Sequence, residues 1–278
     1  MQKLLLVVIV LSIFVFIVYK GNTTVGTSHY EIASNRLPSS FNGYTIVQLS
    51  DLHDALFGEK HADVVNEVKA IAPQAIFITG DFIDRNRYDL QQSLLLVKEL
   101  QGVAPMYYVT GNHEVSTNNS ESIKKSLEDL GVRILSDEAD ILVGNDGESI
   151  AIGGIEDPLA SHLDDETAVE VSITQAFAKI PSDMFKILLS HRPEYVETYV
   201  AKKMDVTFSG HAHGGQFRIP GIGGFISPGQ GLFPKLTSGV HENDRSHLVI
   251  SRGLGNSSFP IRIFNKPEIV VVTLKKET

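Results

Sequence analysis

The stretch "YTIVQLSDLHDALFGEKHADVVNEVKAIAPQAIFITGD", residues 44–81, decides the fold. It opens on a short run of β-branched and aromatic residues and passes through a polar turn. It then enters "HADVVNEVKAIA", where apolar residues recur at helical spacing, and closes on a second apolar run, "AIFIT" (75–79). Runs of the first kind read as buried strands, and the spacing between them as an amphipathic helix. The unit continues with a helical "LQQSLLLVKEL" and a strand-like "MYYVT" (106–110). A β-α-β-α-β order predicts a parallel sheet. After a third helix near 120–130 the balance changes. Strands are expected at 149–155, 185–190, 205–209, 247–251 and 268–274, separated by only two helical stretches, near 166–179 and 194–203. That mix predicts two sheets packed face to face with helices outside.

The 278 residues suffice for one large domain or two small ones, and a net charge of −9 leaves no global field to attract nucleic acid. The absence of cysteine excludes disulfides, zinc fingers and iron–sulfur sites. The compositional break is "LLLVVIVLSIFVFIVY", residues 4–19, which holds no charge. As a helix it would be about 24 Å long, and it is apolar on every face. Residues 1–20 therefore read as a membrane anchor or signal segment. A retained transmembrane helix is favoured, because no A-x-A cleavage site follows. Lys20 offsets part of the charge asymmetry, so Lys3 and the amino terminus set an expected inside orientation, with the domain that follows extracytoplasmic. The polar residues 21–40 read as a short tether, and 41–278 as the domain.

Chemistry gathers at the expected strand ends. Asp51 and His53 follow the first strand, Asp81 and Asp84 the second, and Asn112, His113 and Glu114 the third. His191 follows "FKILLS", and "GHAHGG" with His211 and His213 follows "DVTFS". Taken singly, these have ordinary readings: Asp51 or Asp84 as a helix cap, His191 as a structural histidine, Arg192 as a surface arginine. Together, five of the ten histidines and three aspartates fall at one kind of place. Ligand sites form at the carboxyl ends of strands in parallel α/β sheets. Carboxylate, imidazole and amide without thiolate suit Mn, Fe or Zn, and there are too many donors for one ion.

In order, the motifs read "DLH", "GDFID", "GNHE", "SHRPE" and "GHAHGG". That ordered set resembles the calcineurin-like metallophosphoesterases. The further segments "GGQFRIPGIGGFISPGQGLFP" and "SRGLGNSSFPIRIFNKPEIVVVTL" resemble the bacterial membrane-associated phosphodiesterases among them. The resemblance covers residues 41–278 and implies a four-layer α-β-β-α sandwich with two metal ions per chain. It assigns Asp51, His53 and His213 to one ion and Asn112, His191 and His211 to the other, with Asp81 bridging. His113 would be the acid at the leaving group, Asp84 its partner, and Arg192 a candidate phosphate clamp. The implied activity is a metal-dependent phosphodiesterase acting on a lipid-linked or envelope phosphate ester. A non-catalytic metal-binding scaffold is the alternative. No protein partner is expected.

Overall fold

The apolar runs become the inner strands of two six-stranded sheets. The computed structural model describes residues 2–117, 119–256 and 259–277, the side chain of Ile17 excepted. Helix α1 (Gln2–Thr23) is followed by β1 (Gly26–Ser34), β2 (Thr45–Leu49), α2 (Ala62–Ile71), β3 (Ala75–Thr79), α3 (Leu90–Leu100) and β4 (Met106–Val109). Next come α4 (Asn112–Val115), α5 (Ser120–Glu128), β5 (Arg133–Ile134), β6 (Glu138–Val143) and β7 (Ser149–Gly154). Helix α6 (Asp165–Ala176), β8 (Phe185–Leu189), α7 (Val196–Ala201) and β9 (Val206–Ser209) follow. Two small ribbons, β10 (Arg218–Ile219) with β11 (Gly223–Gly224) and β12 (Ile226–Ser227) with β13 (Gly231–Leu232), precede β14 (Gly239–Asn243), β15 (Ser246–Ile250) and β16 (Glu268–Lys276).

The first sheet runs β1-β16-β2-β3-β4-β5 and the second β14-β15-β9-β8-β7-β6. Strands β2 to β5 are parallel, as are β7, β8, β9 and β15. Such strands are covered on both faces, and every residue of β3 and β8 is buried. One core cluster fills the space between the sheets, with Ile46, Phe77 and Val109 from the first meeting Ile187, Phe208 and Val249 from the second. A second cluster joins the outer face of the first sheet to α2, α3 and α5 through Ile76, Val68, Val97 and Leu127. A third joins the outer face of the second sheet to α6 and α7 through Leu188, Ile173 and Tyr199. The result is the expected α-β-β-α sandwich. Across the middle, Gln48 Nε2 on β2 donates to the Ser209 carbonyl at the end of β9, 2.8 Å away. The functional ends of the two sheets therefore lie together.

Helix α1 is 22 residues long with a mean hydropathy of 2.7, and none of its apolar window is buried in the protein. By length and composition it could cross a membrane. The reading of 21–40 as a tether fails. α1 continues to Thr23, and residues 26–34 form the edge strand β1, paired in parallel with β16 along its whole length. β1 escapes detection because its sequence, GTSHYEIAS, lacks apolar alternation: only Ile32 is buried.

Candidate metal centre and active site

Each expected donor follows closely on a strand, Asn112 as the first residue of α4 and the others in the connections, and backbone hydrogen bonds bind these segments together. The N–H of Asp51 donates to the Gly80 carbonyl and that of His53 to the Asp81 carbonyl, both at 3.0 Å. The Asp81 carboxylate accepts from the His113 N–H at 2.8 Å, and the Asp51 carboxylate from the His211 N–H at 3.0 Å. Gly80 sits where the loops converge. A Cβ there would stand 2.7 Å from both the Gly111 nitrogen and His191 Nδ1, and its φ of +84° is open to glycine. Asp51, His53, Asp81, His211 and His213 all hold positive φ between 47° and 65°. Non-glycine residues rarely adopt this region, and such strain persists where the surroundings over-determine it.

The donors form two groups. Asp51, His53, Asp81 and His213 place their ligand atoms within 4.8 Å of one another, as do Asp81, His191 and His211, and all are buried. Asp81 belongs to both. His53 Nε2 lies 3.1 Å from His213 Nε2, and His213 Nε2 lies 3.3 Å from Asp51 Oδ1. His191 Nε2 lies 3.2 Å from His211 Nδ1 and 3.4 Å from Asp81 Oδ2. These separations match the edges of a tetrahedron or octahedron with bonds of about 2.1 Å, which run about 3.0–3.4 Å. The buried Asn112 Oδ1 has no hydrogen-bond partner among the described residues. An orphaned amide oxygen at the strand end beside a group of imidazoles and a carboxylate fits a metal ligand. His191 Nδ1 donates to the Thr79 carbonyl at 2.8 Å, which turns Nε2 toward Asp81.

The calcineurin-like phosphoesterase family matches residues 44–215, the span that carries every one of these donors. The chain belongs to that family. It is 29% identical to an uncharacterized metallophosphoesterase of Bacillus subtilis, YkuE, over 90% of this chain and 85% of that protein. It is 25% identical to a Danio rerio transmembrane protein with a metallophosphoesterase domain, over 88% of this chain and 56% of that protein. The crystal structure of TT1561 of Thermus thermophilus superposes with a TM-score of 0.52 over 76% of this chain and 89% of that one, at 10% identity, a likeness of fold.

The electrostatics of this phosphoesterase site favour a cation. Burial holds His53 down to about 3 and His211 and His213 well below the usual histidine value, so these rings are neutral donors. Burial alone would also lower His191, but Asp81 and Asp51 push it up to about 10. The field that would hold a proton on Nε2 would equally hold a metal. Burial raises Asp51 to about 6. It would raise Asp81 as well, but the surrounding histidines, His191 foremost, bring that carboxyl well below the usual range. His113 stands beside the first group, its ring centroid 4.4 Å from that of His53.

Two expectations need correction. Asp84 Oδ1 lies 3.8 Å from His113 Nδ1, too far for a hydrogen bond. The Arg85 N–H donates to that nitrogen instead, at 3.2 Å, while Asp84 Oδ2 accepts from the Arg87 guanidinium. Asp84 therefore acts on His113 through its field. Arg192 is not placed as a phosphate clamp, because its fork closes on Asp157 with bonds of 2.8 and 2.9 Å and its remaining arm faces Asp165. Asp157 lies 35 residues upstream, where no local signal announces it.

Two groups support the site: Glu114, read from the sequence among the strand-end candidates, and Arg262, which the sequence reading missed. The Glu114 carboxylate accepts from the N–H groups of Asp81, Ile83 and Gly111, so it holds the Asp81 loop and is not aimed at the metal groups. Burial pushes it up to about 7. Arg262, almost fully buried, reaches within 3.4 Å of His213 Nδ1.

Proposed function

We propose that this metallophosphoesterase is a binuclear metal-dependent phosphodiesterase, held at a membrane by α1, that hydrolyses a lipid-linked or envelope phosphate ester. The observation that carries the reading is Asp81, one carboxylate shared by two buried donor groups. Asp51, His53 and His213 would hold one ion, and Asn112, His191 and His211 the other. Mn, Fe or Zn ions bound there would polarise the phosphoryl oxygens and acidify an attacking water.

The protein's own part is to position and to protonate. Thr79 and Asp81 orient His191, and Glu114 fixes the loop that carries Asp81. His113 is assigned to the leaving oxygen. Because the Arg85 N–H occupies Nδ1, the neutral ring keeps its proton on Nε2. Delivering a proton to an alkoxide needs the imidazolium, whose second proton, on Nδ1, displaces the Arg85 N–H and has Asp84 Oδ1 3.8 Å away. Burial lowers the His113 pKa, and Asp81 and Asp84 oppose that fall and favour the charged ring.

Lys3 ahead of the charge-free helix supports an orientation with the catalytic domain outside the cytoplasm. Purified full-length protein should contain about two equivalents of metal and hydrolyse bis(p-nitrophenyl) phosphate, with activity lost to chelator and restored by Mn²⁺. A metal-loaded protein that turns over no ester in a broad panel would be the non-catalytic scaffold. Protease added to intact spheroplasts should remove the domain. Protection until lysis would reverse the orientation and leave the chemistry untouched.

A further inference from the structure

The end of α1 is fastened to the catalytic centre. Asn22 clasps the backbone of Arg262: its Nδ2 donates to the Arg262 carbonyl at 3.0 Å, and its Oδ1 accepts from the Arg262 N–H at 2.7 Å. The Arg262 side chain runs inward, donates to the carbonyls of Arg252 and Gly255, and reaches His213. One buried side chain thus separates the last turn of the apolar helix from a residue of the first donor group. A 22-residue helix is about 33 Å long, close to the roughly 30 Å of a hydrocarbon core, so Asn22 would lie at the membrane surface. The Arg262 segment must then lie there too.

Its neighbours suit that position. Phe259, Ile261 and Phe264 flank Arg262 and are exposed by 51%, 43% and 64%. The β10–β11 ribbon adds Ile219 and Ile222, which line one surface depression with Phe264. The two segments are joined, since Gln216 Nε2 donates to the carbonyls of Phe259 and Ile261 and Phe217 bridges Ile263. Among the described residues beyond α1, every exposed phenylalanine lies between 219 and 264, with Phe233 directly after the second ribbon. An apolar patch of this kind marks an interaction surface. Charge points the same way. In a chain of net charge −9, residues 212–241 and 245–267 contain no Asp or Glu, and they carry Arg218, Lys235, Arg245, Arg252, Arg262 and Lys266. Of these, Lys235, Arg245 and Lys266 are exposed, whereas Arg262 is buried and Arg252 pairs with Glu268. Apolar side chains with exposed basic ones match an anionic lipid surface. The ribbon also borders the site: Arg218 Nη1 donates to the Gly214 carbonyl, next to His213.

We propose that the β10–β11 ribbon and the 259–264 segment dock into the headgroup layer of an anionic bilayer, so that the metal centre opens along the membrane surface and draws its phosphate ester from lipid headgroups. The substrate half of this proposal rests on the phosphoesterase reading, and the docking half does not.

The chain contains no tryptophan, so an introduced one reports without background. Full-length Phe264→Trp and Ile222→Trp, reconstituted in vesicles of phosphatidylglycerol and phosphatidylcholine with brominated acyl chains, should be quenched at least about threefold more than Ile141→Trp. Ile141 lies on β6, at the opposite edge of the second sheet from β14. Equal quenching at the three positions overturns the docking, as does a dimer in lipid-free solution that shields positions 222 and 264. Ile222→Glu/Phe264→Glu should keep its turnover of bis(p-nitrophenyl) phosphate and lose about tenfold or more on a headgroup-labelled phospholipid in the same vesicles. Unchanged phospholipid turnover in that variant overturns the substrate half. If the wild type hydrolyses neither ester, the phosphoesterase reading falls, and the quenching decides the docking alone.

Discussion

The two sheets make unequal contributions to the site. The first supplies Asp51, Asp81 and Asn112 with the histidines 53 and 113, and so brings every carboxylate of the two donor groups. The second supplies His191, His211 and His213, imidazoles without exception. The contrast teaches how the centre is held together. The carboxylate-bearing half is built on consecutive β-α units, and the all-imidazole half is brought to it by packing. Asp81 is the one donor that reaches into both groups. It should therefore be the least replaceable residue, and the histidines of the second sheet should divide between two ions.

The sharpest test is Asp81→Ala. It should abolish turnover and reduce bound metal from about two equivalents to near none, read by elemental analysis. Retention of one full equivalent would break the bridging assignment. Next, His211→Ala and His213→Ala should each weaken one ion and spare the other. The weakening should exceed the roughly 10–100-fold that follows loss of a partner hydrogen-bonded to a ligand. Competition with a chelator of known affinity measures it, and equal loss of both ions in either variant would erase the division.

His113→Ala keeps both donor groups whole. It should lower the rate by about 10²–10⁴ with metal retained, and the loss should shrink on esters with good leaving groups, which need little protonation. Metal loss as complete as in Asp81→Ala would move His113 into the ligand set. Arg192→Ala tests the second sheet's outer support. It leaves buried Asp157 without its charged partner and should cost about 3 kcal/mol in chemical denaturation, while KM stays within about threefold. A tenfold rise in KM would return Arg192 to the phosphate. The smallest effect is expected from deletion of residues 2–20, which spares Asn22 and its clasp on Arg262. Turnover of small soluble esters should match the full-length protein, and a fall in it would mean that the helix itself supports the metal groups.

Much of this was legible in the chain because the first sheet is built locally. Each strand from 44 to 110 is a short apolar run, and its donors follow within a few residues, so motif and element are read in one pass. Ends of most elements shifted by only a residue or two, as in "FKILLS" against β8 (Phe185–Leu189), and α6 ended three residues early, at Ala176. Edge strands were harder. β6 has no residue fully buried, and β1 has one, so neither shows the run of apolar residues that announces an inner strand.

The sequence by itself determined the layered α/β class, the order of the donors and the chemistry they share. Strand periodicity and the residues that follow each strand are properties of adjacent positions. Only the tertiary structure decided which donors meet. His53 finds His213 across 160 residues, β1 finds β16 across some 240, and Asn22 finds Arg262 across 240. Arg192 shows the same division. Its type suggested a phosphate, and a carboxylate 35 residues away already closes its fork. Contacts of that range depend on how two sheets pack, which no local pattern encodes. That packing also removed the tether and joined the apolar helix to the metal centre.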